Sequence, residues 1–246
     1  MPFFGLALLM ACAGGEAPLS SAPRDPDGPS RLRVAAAAEA SGQPELALSL
    51  LAAAAEAEPR DPQIQARFAS ALSRSGNLLQ AQAVVNRGLA ASPNDPELIN
   101  QLGRLQLRAG AVEEALASFD RLIARQAGNA PALDGRGMAL DLLGRHEEAQ
   151  ASYRSALAVV PAHIGAANNL GVSLLLTRRF REAEQVLEMV ARRPGVPTRV
   201  ATNLALARAA QGDQRAMREL AGESSSQADV EALLRELGAS IQQAEG

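Results

Sequence analysis

Residues 96–129 read PELINQLGRLQLRAGAVEEALASFDRLIARQAGN, and residues 130–163 read APALDGRGMALDLLGRHEEAQASYRSALAVVPAH. The two segments have equal length and align without a gap. The alignment extends in both directions. Gly42, Gly76, Gly110 and Gly144 stand 34 apart, and Gly212 lies two periods further on. Ala47, Ala81, Ala115, Ala149 and Ala183 form a second column of the same period, and Pro59 and Pro93 begin a third. A fixed period of this length marks a repeat architecture in which each unit is one supersecondary element.

The phase gives blocks 28–61, 62–95, 96–129, 130–163, 164–197 and a degenerate 198–221. Each column has a physical reason. The eighth position is Ala35, Ala69, Gly103, Gly137, Gly171 and Ala205, and the twentieth is the alanine column. Small residues at both let two helices cross closely. The fifteenth position is glycine because the turn between helices takes a left-handed residue. Arg178 replaces it in the fifth block, which predicts a strained or altered turn. Leu51, Val85, Phe119, Tyr153 and Leu187 share one column and should fill the space between successive units. Proline near the end of a block stops the second helix.

Leu102-Gly103, Ala115 and Phe119 in one block, and Gly137, Ala149, Tyr153, Ala156 and Pro161 in the next, resemble the tetratricopeptide repeat (TPR). The resemblance covers about four fifths of the chain. It implies an all-α, right-handed solenoid of about six helix–turn–helix repeats that holds other proteins. Stacked repeats share one core, so the last needs a cover. Residues 226–243 are expected to supply it as a capping helix, with Ser226 as N-cap and Val230, Leu233, Leu234, Leu237 and Ile241 as its apolar stripe.

Composition agrees. Of 246 residues 47% are hydrophobic but only 2% aromatic, so alanine, the best helix former, carries the apolar class. The net charge is −3 and all 24 basic residues are arginine, interspersed with acids. The absence of a basic stripe argues against nucleic acid as the main partner.

Residues 3–11 are a short apolar run that ends in Leu9-Met10-Ala11-Cys12. This ending resembles a bacterial lipobox, which implies cleavage before Cys12 and lipid on its thiol. No Lys or Arg precedes the run, unlike the usual leader. The alternative is an apolar terminus with an incidental cysteine. On the lipobox reading, residues 1–12 are a signal peptide and residues 13–27 a flexible Pro/Gly/Ser-rich tether. Ala13 would favour the outer membrane, facing the periplasm.

Catalytic constellations fail on context, so no enzyme, cofactor or metal is expected. His146-Glu147-Glu148-Ala149-Gln150 lacks the second histidine of a zinc-protease helix, and His163 stands apart in a turn. Gly135-Arg136-Gly137 follows no strand, so it is not a dinucleotide loop. In tetratricopeptide folds the first helices line a groove, and positions 2, 5, 9 and 12 of each repeat face it. Those positions include Asn100, Arg104, Asp134, Met138, Asp141, Asn168, Val172 and Leu175, with Leu206 further on. Val172 and Leu175 read equally well as core. The groove is expected to be polar at one end and apolar at the other, suited to a segment with a mixed face.

Asn168-Asn169-Leu170-Gly171, Arg199-Val200 and Asn203-Leu204-Ala205-Leu206 followed by Gly212 resemble the TadD-type lipoprotein of the tight-adherence (Flp) pilus system. That resemblance implies an outer-membrane lipoprotein that binds secretin or pilus assembly components and assists assembly or localisation of the machine. The alternatives are a pilotin-like or general envelope scaffold and a soluble adaptor.

Overall fold

The computed structural model describes residues 28–221 and 227–243. Cys12, the tether and Ser226 lie outside the described residues, which contain thirteen helices and no strand. Six pairs follow the sequence blocks: α1 Gly28–Ala40 with α2 Pro44–Ala57, α3 Pro62–Arg74 with α4 Leu78–Ala91, and α5 Pro96–Arg108 with α6 Val112–Arg125. Then come α7 Ala130–Leu142 with α8 His146–Val159, α9 Ile164–Leu176 with α10 Phe180–Ala191, and α11 Thr198–Ala209 with α12 Gln214–Ala221. A last helix, α13, spans Gln227–Gln243. Each helix packs on the next, and from α3 to α11 the odd helices also touch one another. The odd helices therefore form the inner layer of the solenoid and the even helices the outer one.

Four of the odd helices, α3, α5, α7 and α9, have start signals spaced 34 residues apart. Asp61, Asp95 and Asn129 accept the backbone N–H of Ile64, Leu98 and Ala132, each at 3.0 Å. His163 does the same through Nδ1 to the N–H of Ala166 at 3.0 Å. These caps satisfy one of the free donors of each first turn. Proline at the first or second helical position fits α3, α5 and α7, where no N–H is needed. His163 is thus a helix cap, not an idle turn residue.

The fifteenth-position turns are left-handed throughout: Gly42, Gly76, Gly110, Gly144 and Gly212 have φ of +69° to +93°, and Arg178 has φ +59°. The Arg178 turn closes as the glycine turns do. Arg179 N–H donates to Leu174 O at 2.8 Å, just as Arg145 N–H donates to Leu140 O at 2.8 Å. The turn is strained and its path is unaltered.

The column of large residues explains the glycine pair of α7. A Cβ on Gly137 would lie 2.4 Å from Tyr153 Cε1, and one on Gly135 2.4 Å from Phe119 Cε1. Gly103 packs on the same ring: its added Cβ would be 2.6 Å from Cζ. Phe119 is therefore clamped between glycines of α5 and α7, fully buried. Where the eighth position is alanine, in the first two repeats, the partners are the smaller Leu51 and Val85, also buried.

The last helix does more than close the end of the stack. A further odd helix would rest on α11 and α12; α13 also reaches α9. Val230 and Leu234 share one apolar cluster with Leu174, Leu175, Leu206 and Ala209. Arg178 holds Glu231 through two hydrogen bonds, of 2.7 and 3.1 Å. So α13 lies across the inner face of the fifth and sixth repeats.

Candidate partner groove

The inner face has three zones. Over the last two repeats α13 occupies it. Leu175 is 1% exposed and shares a core cluster with α13, so of its two readings, groove and core, it takes the second. Leu206 is buried beneath α13 in the same cluster.

The second zone is a ladder of polar side chains that ties successive odd helices together. Arg104 of α5 approaches Asp134 of α7 at 3.6 Å, Asn169 of α9 donates to Asp134 at 2.9 Å, and Asn203 of α11 donates to Asn168 at 3.0 Å. Asp141 is the centre of a second cluster. It accepts the Tyr153 hydroxyl at 3.0 Å and the Ser173 hydroxyl at 2.8 Å, and its Oδ1 is 2.9 Å from His146 Nδ1. Asp134, Asp141 and Asn168 are all buried. For Asp134 and Asn168 the expected role as open groove contacts is corrected: buried polar groups must be paired, and here the pairs lie within the chain; Asp141 is paired in the same way but also lines a cavity. Loss of solvent raises the Asp141 carboxyl above the ordinary aspartate value, against the lowering effect of His146, Ser173 and Tyr153. Burial, and then the nearby Asp141, push the Tyr153 hydroxyl well above the usual tyrosine range.

The third zone is open. A cavity of about 580 Å³ is lined from α3, α5, α7 and α9 by Arg74, Arg104, Arg108, Leu107, Met138, Leu142 and Val172, with Asn169, Asp141 and Tyr153 at its floor. A second, of about 480 Å³, continues towards the N-terminus past Arg67 and Asn100 to Glu39. Arg104, Met138 and Val172 are part-exposed here, as a partner surface requires. Asn100 is half-buried, and its Oδ1 is enclosed without a hydrogen-bond donor. Sequence reading missed Arg74 and Arg108. Both occupy the thirteenth position, one residue beyond the positions that were read as groove-facing.

Among the described residues no group of three or more His, Cys, Asp or Glu could hold a metal. None of the described helices is long and apolar enough to cross a membrane.

Comparison with known proteins accords with this geometry. Two tetratricopeptide-repeat family models match, at residues 38–100 and 135–197, together about half of the chain. Among curated proteins none matches. Among solved structures, the TPR protein TTC0263 of Thermus thermophilus is 23% identical with TM-score 0.64, over 72% of this chain and 98% of that one. PilF of Pseudomonas aeruginosa is 15% identical with TM-score 0.59, over 88% and 95%. PilW, described as a widely conserved type IV pilus biogenesis factor, is 17% identical with TM-score 0.63, over 88% and 96%. The repeat phase, the inner layer of odd helices and the matched family models lead to one assignment: the chain belongs to the tetratricopeptide-repeat family.

Proposed function

We propose that the protein is a scaffold lipoprotein of a bacterial envelope machine, of the Flp tight-adherence pilus type. On this reading it is anchored through Cys12 to the outer membrane, faces the periplasm and holds a secretin or pilus assembly component in the groove of its second to fifth repeats. The observation that carries the reading is the open cavity on the inner face, lined from four successive odd helices. A groove of this kind binds segments of other proteins. The names of PilF and PilW support a pilus context, and the lipobox-like Leu9-Met10-Ala11-Cys12 supports the anchor. Because PilW is named a type IV pilus factor, a related machine other than the Flp pilus is the second reading.

The test is fractionation and crosslinked pull-down from envelopes that carry wild type or Cys12→Ala. Wild type in membranes, the variant released, and recovery of a secretin or pilus component are the expected results. Wild type in the soluble fraction would refute the anchor. Recovery of no pilus or secretion component would refute the machine.

A further inference from the structure

We infer that the open middle of the groove binds an acidic amphipathic helix, one carboxylate on Arg108, another sharing Arg74 with Glu39, and a large apolar side chain between Leu107, Met138 and Val172. The inference rests on the scaffold reading and adds the chemistry of the partner.

The chain itself shows what its inner face accepts. Over the fifth and sixth repeats α13 buries Val230 and Leu234 in one cluster with Leu175 and Leu206, and Arg178 grips its Glu231 with both terminal guanidinium nitrogens. The open cavity continues this interface with the same elements. Part-exposed Met138 and Val172 form its apolar side, and the arginines border it towards the N-terminus.

Charge then fixes the sign of the partner. The acids nearby are committed, except Glu97 of the second cavity. Asp134 takes Asn169 and Arg104, Asp141 takes Tyr153, Ser173 and His146, and Glu39 takes Arg67 and Arg74. Arg108 donates to the Ser73 carbonyl at 2.7 Å and pairs with no carboxylate among the described residues. A partner that covered Arg108 without a carboxylate would desolvate an unpaired cation. A basic partner would add repulsion. A carboxylate there gains the two-pronged geometry that arginine offers.

The experiment is selection of a random peptide library on the full chain, in parallel with Arg74→Glu/Arg108→Glu, whose fold is checked by circular dichroism. Enrichment of peptides that combine Asp or Glu with Leu, Ile, Met or Phe at helical spacing is expected. One enriched peptide, synthesised, should bind at least about ten-fold more weakly to the double variant and to Val172→Arg, and more weakly in salt. Basic or uncharged winners, the same winners on the double variant, or no enrichment overturn the inference. So does equal competition by an oligo-dT strand, which would mean phosphate recognition. Recovery of pilus components from envelopes that no acidic peptide displaces would sink this inference and leave the scaffold standing. Acidic winners without any such recovery would do the reverse.

Discussion

Gly135→Ala separates the packing account of this solenoid from an argument by propensity alone. On propensity, alanine in the interior of α7 should gain about 1 kcal/mol over glycine. The surroundings reverse the sign. The new Cβ would stand 2.4 Å from both Cε1 and Cζ of Phe119. Carbon atoms rest about 3.5–4.0 Å apart, so the ring would have to retreat by about 1 Å. It cannot do so easily, because Gly103 also packs tightly against it and the ring is fully buried. Overpacking costs about 1–3 kcal/mol, and a fully buried ring packed tightly from two helices belongs at the upper end. The net expectation is a loss of about 2 kcal/mol, a fall of about 1 M in the urea midpoint followed by circular dichroism. Phe119→Leu should recover part of that loss. The double-mutant cycle should give a coupling of about 1–2 kcal/mol. A Gly135→Ala protein as stable as wild type, or strictly additive single changes, would refute the clamp.

Other outcomes follow from the turns, the buried carboxyl and α13. Gly144→Ala meets no atom within 4 Å at φ +70°, so only the left-handed backbone opposes it, by about 1–2 kcal/mol in urea unfolding. In a Glu231→Ala background, where the ion pair is already gone, Arg178→Gly should raise the melting temperature by relieving φ +59°; a lower one would contradict the strained turn. Asp141 has a raised folded-state pKa, so its contribution to stability is present below the ordinary aspartate value and is lost as pH rises through the raised one. Asp141→Asn cannot lose that contribution. Its stability relative to wild type should therefore improve as pH rises across that window, and a flat difference would argue against the burial cost. Leu234→Ala removes a buried contact between α13 and the inner face and should cost about 2 kcal/mol, with greater hydrogen exchange in α9 and α11.

The repeat columns were legible because they encode packing that recurs every 34 residues: glycine for the turn, alanine for the crossing, a large residue opposite a small one. The caps at Asp61, Asp95, Asn129 and His163 obey the same period, and aligning the last position of each block would have found them. The groove was only half legible. Position within a repeat told which residues face inwards, but not whether a neighbour already held them. Asp134 and Asn168 meet partners 35 residues away, so they look the same in sequence as free ligands would. The seat of α13 was illegible for a related reason. An apolar stripe states that a helix must be covered, not by which face of the stack. Leu175 therefore read equally well as groove or core until α13 was placed on it.

The clamp around Phe119 reaches beyond stability. In a stacked-repeat protein, curvature is the sum of small rotations between neighbours. The thickness of the side chain wedged between two units sets one such rotation. Phe119, buried between α5 and α7, is the shim at the middle of the spring, and both helices also line the open cavity. The aperture offered to a partner is thus governed from a site that no partner can touch. A change of ring size there would reshape recognition while every residue of the groove stayed the same.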